Sequence, residues 1–471
     1  MSRKYFIITP RTIRELIFSY PSETGRELRM VPGLPLIGNL LQLKDKKPHR
    51  TFGRWAEEYG PIYSIRLGHS TVFVLKDLND TSLAKEAMVT KFSSITTKKF
   101  PRAWKILTAK SMVASSQDTM TDNILRSLHT HAMENLLEPV NLREICKLEI
   151  FGLTLKQAFG KDIQSSLYVK GLGKTFTRDE IFNILVIDPI VVAIDMDWRD
   201  FFPYLSWVPN KSFEMKVQHV TMRVQEVMKT LFQEQKKRIS MGEEVTAFVG
   251  LLLSEGTNLT ETQLIKLIWE TIIAGTDTTL VAIEWAMYEL AKNPKYQDHL
   301  YREIQKVCGN SKYAEEPLAY LSAIFHETLR KHSPAPFDPL RYVHEDTQLG
   351  GHDIPAGSEI AINIYGCPMD KEQYDLPEEW RPERFLDDKY DPAGLFNTMA
   401  FGSGKRACAG ALQAKTIFCT VVGRLIQDFE WSLKEGEEDD VNTGTLTSQK
   451  HNPMLAMITP RDNSHLSTGL A

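Results

Sequence analysis

Between Phe401 and Gly410 the chain reads Phe-Gly-Ser-Gly-Lys-Arg-Ala-Cys-Ala-Gly, and Cys408 there is a side chain with metal chemistry in a setting that favours it. Two cations, Lys405 and Arg406, precede it on a glycine-rich turn. Cations and unpaired backbone N–H groups both favour the thiolate, which is the form that binds metals. Gly402, Gly404 and Gly410 leave room for a flat ligand to lie against the backbone. After Gly410 the apolar residues Leu412, Ile417, Val421 and Leu425 recur near helical spacing, which sets the thiolate at a helix N-terminus, where the dipole favours negative charge. Metal clusters and structural zinc want several cysteines or histidines at short spacing, and none lies within ten residues of Cys408. A single cysteine ligand points to haem. The competing reading is a buried structural cysteine on a glycine-rich turn.

Three further segments carry chemistry. In Glu327-Thr328-Leu329-Arg330 an acid and a base stand three apart on one helix face; alone, such a pair is usually solvated and worth a few tenths of a kcal/mol. Pro382-Glu383-Arg384-Phe385 and Pro339-Leu340-Arg341 each add an arginine, whose fork suits a carboxylate. Ala274-Gly275-Thr276-Asp277-Thr278-Thr279 lies inside an apolar stretch from Leu264 to Leu290 that reads as one long helix. Gly275 there leaves space for a diatomic across the helix, and a threonine hydroxyl bonding back to the chain opens the local ladder. A threonine-rich helix with local capping bonds is the competing reading.

Read whole, Phe401-x-x-Gly404-x-Arg406-x-Cys408-x-Gly410 resembles the haem-binding signature of the cytochrome P-450 superfamily of haem-thiolate monooxygenases, and the other segments follow its order. The resemblance implies a mainly α fold with small β-sheets, and haem b held between the long oxygen-binding helix and the Cys408 loop. It implies Cys408 as the axial ligand, with Phe401, Gly402, Arg406 and Gly410 around the cofactor and Arg341 and Arg406 reaching its propionates. Glu327, Arg330 and Arg384 would form a buried triad bracing the haem-binding core. Thr278 would steady bound oxygen while Asp277 relays protons to it.

Longer strings resemble one branch, the plant ent-kaurene oxidases and ent-kaurene oxidase-like proteins. They include the run from Pro32 to Lys44, RWAEEYGPIY from Arg54, the run from Asp197 to Leu205, FHETLRKHSP from Phe325 and YVHEDTQLGG from Tyr342. This implies a labdane-related diterpene substrate: either ent-kaurene, one methyl group of which is oxidised to alcohol, aldehyde and acid in gibberellin biosynthesis, or a related diterpene of phytoalexin biosynthesis. It also implies O2 as co-substrate, NADPH-cytochrome P-450 reductase as electron donor, and a cytosol-facing place on the endoplasmic reticulum or plastid envelope. The reductase is separate, since no dinucleotide or flavin fingerprint occurs in the chain.

The remaining composition fits one catalytic domain. In 471 residues, 42% of them apolar, no low-complexity linker divides the chain, and a net charge of −4 offers nothing to nucleic acid. Five scattered cysteines without a C-x-x-C pair suit a reducing compartment. Residues 1–30 are expected to be a tail without a full transmembrane anchor, because the apolar run from Tyr5 ends at Thr9-Pro10, far short of about 20 residues. Ile13, Leu16, Ile17 and Tyr20 share a helix face that could rest on a membrane surface, and a frayed, solvated tail is the competing reading. The catalytic domain is expected over 31–460, entered through the hinge Val31-Pro32-Gly33-Leu34-Pro35, and 461–471 is a second tail. The stretch from Ile181 to Ile194 is apolar but broken by Asp188-Pro189, and by resemblance it roofs the substrate pocket.

One departure stands out. Family members carry a basic, haem-contacting helix after the segment matching Phe92-Ser93-Ser94-Ile95, yet from Ser111 to Leu125 this chain has no Lys or Arg. An apparent deletion near 111–125 follows. Two alternatives therefore stay open beside a working monooxygenase: a catalytically silent haem-binding relative, and a haem-thiolate rearrangement enzyme that uses no oxygen.

Overall fold

The computed structural model describes residues 28–43, 48–75, 86–91, 97–98 and 118–461, the last span interrupted at 136, 164, 196, 244–246, 255–258, 310, 312–317, 367–368, 370, 372–373, 388–389, 391–393, 396 and 442–445. The tail residues expected to face a membrane, Cys367 and residues 111–117 of the expected deletion lie outside the described residues, whereas 118–125 begin a helix.

The proline-rich hinge is pinned rather than loose. The Asn39 amide donates to the carbonyls of Val31 and Pro32, and its oxygen accepts from the Arg66 N–H at 2.8 Å. Gly38 sits at φ +63°, and a Cβ there would lie 2.0 Å from the Arg66 carbonyl oxygen, so no other residue fits. Helix α1 (Pro48–Tyr59) follows, then the hairpin β1 (Ile62–Leu67) and β2 (Ser70–Leu75), and the short β3 (Thr97–Lys98).

Helix α2 (Asp118–Glu134), β4 (Val140–Asn141) and α3 (Leu142–Phe159) come next. Asn141 caps α3 by accepting from the Glu144 N–H, and Gly160 ends it at φ +73°. The hairpin β5 (Ser166–Val169) and β6 (Lys174–Thr177) leads into α4 (Arg178–Phe182), a π-helical turn at Asn183–Ile187, and α5 (Asp188–Ile194). Helices α6 (Lys211–Ser240), α7 (Phe248–Ser254), α8 (Glu261–Lys292), α9 (Pro294–Val307) and α10 (Ala319–Lys331) follow. Strands β7 (Asp338–Tyr342), β8 (Thr347–Leu349), β9 (His352–Ile354) and β10 (Glu359–Ile362) precede α11 (Ala411–Asp428), β11 (Phe429–Leu433) and β12 (Leu455–Pro460).

The expected architecture, helices with small sheets, is what forms. One sheet has the order β1-β2-β10-β7-β3, a second β11-β12-β4, and two hairpins stand apart. The apolar stretch from Leu264 becomes α8, started by a capping box in which Thr260 and Gln263 exchange hydrogen bonds. It is buried on nearly all sides because it runs through the centre of the molecule, packed by α3, α6, α10 and α11. Trp285, Tyr288 and Phe325 anchor the largest core cluster, shared by α2, α8, α10 and α11.

Three expectations change. Asp188-Pro189 does not break the helical path from 178 to 194. Pro189 cannot donate to the Leu185 carbonyl, but that carbonyl accepts from the Trp269 indole N–H at 2.9 Å, so the gap in the ladder is filled from α8. The packed body also extends past both expected boundaries. Arg29 and Met30 pair with Ser64 of β1, and Arg461 donates its N–H to the Asp428 carbonyl and lies over the Tyr301 ring.

Candidate active site

The loop bearing Cys408 is built from short-range bonds. The Thr398 hydroxyl accepts from the Ala400 N–H, opening the turn Met399–Phe401; Gly402 and Gly404, both at φ +69°, then reverse the chain. Ala407 N–H donates to the Gly404 carbonyl, and Cys408 N–H to the Phe401 carbonyl at 2.8 Å. Phe401 fixes the loop to the core by packing its ring 6.1 Å from that of Phe325 on α10. The outcome is an exposed Cys408 just before the N-terminus of α11, which argues against the buried structural cysteine. Beyond it Leu412 is 66% exposed, an uncovered apolar side chain one turn along from the thiol. Gly410 has Cys408 Sγ 3.9 Å from where its Cβ would stand, and Gly402 faces open space.

On α8, Ala274 is exposed and Gly275 and Thr278 are half-buried, whereas Ile272, Ile273, Thr276, Asp277 and Thr279 are buried. Between Ile272 and Ala291 this narrow stripe is the part of the helix that is not buried. The Thr278 hydroxyl donates to the Ala274 carbonyl at 2.7 Å, the back-bond expected from the sequence. A Cβ on Gly275 would meet only Thr154 Cγ2 of α3, at 3.4 Å, which is ordinary van der Waals contact. Beside it the Thr154 and Thr276 hydroxyls are 3.1 Å apart. Asp277 is turned off the stripe: its Oδ2 accepts from the Thr447 hydroxyl at 2.8 Å, and burial raises its pKa against the opposing pull of that bond and of Arg143.

Glu327, Arg330 and Arg384 come together. Arg330 Nε and Nη2 donate to the two Glu327 oxygens at 2.7 and 2.8 Å with both side chains fully buried, and Arg384 Nε lies 3.5 Å from Glu327 Oε1. Arg330 also donates to the carbonyls of Pro377 and Glu379, and Arg384 to those of Asp375 and Leu376. The cluster thus ties α10 to the segment that leads toward the cysteine loop. Arg341 on β7 is 1% exposed; its Nε donates to Asp338 Oδ2 at 2.7 Å, while its Nη1 is buried with no hydrogen-bond partner among the described residues. Arg406 is exposed.

These residues fit a flat, anionic, thiolate-bound group. An exposed sulfur, open space before Gly402, an uncovered stripe on α8 and an orphaned guanidinium N–H that suits a carboxylate are the features such a group needs. Among the described residues no group of three or more His, Cys, Asp or Glu could hold a metal ion, so an ion at Cys408 would have to bring its other ligands with it.

Sequence reasoning missed Thr447 and Trp269. Thr447 lies in a polar loop, 170 residues from its partner, and carries no motif. Trp269 had a signal: a buried indole N–H needs an acceptor, and Pro189 leaves one.

Comparison with known proteins agrees with the geometry. The family model for cytochrome P-450 matches residues 29–457. Ent-kaurene oxidase of Salvia miltiorrhiza is 53% identical over 465 residues, covering 92% of this chain and 89% of that protein. Ent-kaurene oxidase 2 of Oryza sativa subsp. japonica is 49% identical (92% and 91% covered), and ent-sandaracopimaradiene 3-hydroxylase of the same plant 45% (92% and 90%). The chain therefore belongs to the cytochrome P-450 family: it is an oxidoreductase of the haem-thiolate monooxygenase type, binding haem b through a cysteine thiolate and drawing on O2 and a redox partner.

Proposed function

We propose that this chain oxidises a labdane-related diterpene, with ent-kaurene as the first candidate and methyl oxidation to alcohol, aldehyde and acid as the reaction. The observation that carries the reading is the 53% identity to an ent-kaurene oxidase across 92% of the chain. The 45% identity to a sandaracopimaradiene hydroxylase supports the wider substrate class, including the defence-compound alternative. Haem bound through the cysteine thiolate would supply the activation of oxygen. The side chains do the rest. Cys408 holds the iron, its thiolate favoured by the helix terminus and by Lys405 and Arg406. Arg341, through Nη1, and Arg406 take the propionates, and Phe401, Gly402 and Gly410 bed the ring. Thr278, on the open stripe, holds a proton at Oγ1 beside the pocket, and Asp277 supplies protons from the buried side. The substrate offers no charge, so apolar shape orients it; the helical roof from 178 to 194 is suited to this.

Electrons would come from NADPH-cytochrome P-450 reductase. A membrane face of the endoplasmic reticulum or plastid envelope is supported by one apolar surface. Gly68 N–H donates to the Ile37 carbonyl and His69 N–H to the Phe201 carbonyl, so the hinge, the β1–β2 turn and the segment after Phe201 adjoin. Leu36 in the hinge and Trp207, six residues past Phe201, are 72% and 78% exposed. No helix among the described residues is long and apolar enough to cross a membrane.

A catalytically silent relative is the second reading, favoured by the shortening. The alignment with the Salvia protein runs to 465 positions yet draws on only 92% of this 471-residue chain, so that relative carries residues with no counterpart here. We place the deletion near 111–125, where the basic helix would be. Titrating the haem-loaded chain with ent-kaurene separates the readings. A saturable shift of the haem absorption band, with oxidised product once reductase and NADPH are added, supports the oxidase; binding without product supports the silent relative.

A further inference from the structure

We propose that Thr447 is a positioning residue for this reaction: its hydroxyl fixes the Asp277 carboxyl and so sets how protons reach the pocket. The inference rests on the reading of Asp277 as the proton-relay acid.

The geometry is imposed from outside α8. Thr447 belongs to the long connection between β11 and β12, and its Oγ1 donates to Asp277 Oδ2 at 2.8 Å in a buried setting. The next residue is bolted down three times. Ser448 N–H donates to the Pro334 carbonyl at 2.9 Å, its hydroxyl to the Ser333 carbonyl at 2.6 Å, and its own carbonyl accepts from the Trp285 indole at 2.7 Å. Trp285 stands eight residues beyond Asp277 on α8, and Glu284 next to it accepts from the Met454 N–H. The connection is therefore fastened along one face of the helix, and Thr447 cannot follow Asp277 if the carboxyl moves.

That face adjoins the pocket face. At 100° per residue Asp277 lies about 60° around the helix from Ala274 and about 100° from Thr278, at the seam between the sealed side and the open stripe. Leu446, directly before Thr447, is exposed while Thr447 and Ser448 are buried, so the same seam is crossed within two residues of the loop. With the hydroxyl donating to Oδ2, a proton carried by the carboxyl resides on Oδ1, the oxygen left to pass it on. Burial of Asp277 favours the protonated form, which is the form a relay acid must hold before it gives a proton away. Without Thr447 the carboxyl keeps its burial but loses the bond that selects one rotamer and one protonated oxygen.

The test compares Thr447→Val, Thr447→Ala, Thr447→Ser and Asp277→Asn in the haem-loaded chain. Its first readout needs no turnover. The infrared carbonyl band that disappears in Asp277→Asn is assigned to this carboxyl; in Thr447→Val and Thr447→Ala it should move to higher frequency, as a carbonyl does on losing a donor, and in Thr447→Ser it should stay. The second readout is product formed per NADPH consumed, expected to fall about tenfold in Thr447→Val, a modest share of what general acid catalysis contributes, and to recover in Thr447→Ser. A band unmoved in both variants lacking the hydroxyl, or unchanged coupling in them while Asp277→Asn is impaired, overturns the role of Thr447 alone. Wild-type coupling in Asp277→Asn overturns the underlying assignment of the acid.

Discussion

Glu327→Gln should remove much of the stability of the cysteine-bearing half of the molecule. Glu327 is fully buried, and its oxygens accept from Arg330 Nε at 2.7 Å, Arg330 Nη2 at 2.8 Å and the Arg381 backbone N–H at 2.7 Å, with Arg384 Nε 3.5 Å away. Glutamine keeps the shape but replaces one acceptor by an NH2 that faces a guanidinium, and it leaves Arg330 charged and fully buried. Two charge-assisted bonds at about 1.5–3 kcal/mol each are forfeited or weakened, in line with the 3–5 kcal/mol typical of breaking a buried ion pair. Against a whole-domain stability of roughly 5–15 kcal/mol this is a large fraction. The assay is urea unfolding followed by tryptophan fluorescence, with exposed Glu435→Gln as control, expected to change stability by less than about 0.5 kcal/mol. Because Arg330 and Arg384 hold the carbonyls of 375–379, the variant should also lose haem faster. A stability change below about 1 kcal/mol, with an unaltered urea slope, would refute the reasoning.

Thr278→Ala keeps the iron ligand but removes the hydroxyl on the open stripe, so haem content should hold while NADPH is wasted as peroxide; unchanged coupling contradicts the role. Inserting the basic helix of a full-length relative between Ser116 and Gln117 should raise haem occupancy and turnover, since propionates short of a cation leave buried charge uncompensated at a cost of about 3–5 kcal/mol. Equal occupancy in chain and chimera shows the shortening to be silent. A pH effect follows from Glu289, whose carboxyl burial would raise but whose bonds to His332 and Lys331 at 2.7 and 2.8 Å hold at about 2. Burial pulls His332 below its ordinary value against the opposing pull of Glu289. A depressed carboxyl stabilises the fold above its unfolded pKa of 4.5 and loses that contribution as pH falls toward 2. Glu289→Gln should therefore flatten the acid limb of stability against pH, and an unchanged limb would contradict the pairing.

The chemistry of the site was legible because it is written locally. The spacing from Phe401 to Gly410 specifies a turn and a helix start within ten residues, and the loop closes through bonds no longer than that span. The helix at 261–292 was legible from its apolar run and cap. What the sequence hid is non-local. Pro189 reads as a break until Trp269, eighty residues on, supplies the missing bond. The Glu327–Arg330 spacing is that of any solvated pair; only packing against the 375–384 segment makes it a buried clamp. Thr447 has no motif and could be found only by asking which donor reaches a carboxyl sealed inside α8.

The central claim, that Cys408 and the open stripe of α8 form a working diterpene monooxygenase, is tested most directly by turnover under isotopically labelled dioxygen. The haem-loaded chain would be given ent-kaurene, NADPH and reductase, with Cys408→Ala as control, and the products analysed by mass spectrometry. The account predicts oxidised kaurene carrying the label, and neither product nor thiolate spectrum in Cys408→Ala. A wild-type chain, or its helix-restored form, that shows the full thiolate spectrum and binds ent-kaurene yet yields no labelled product would contradict it.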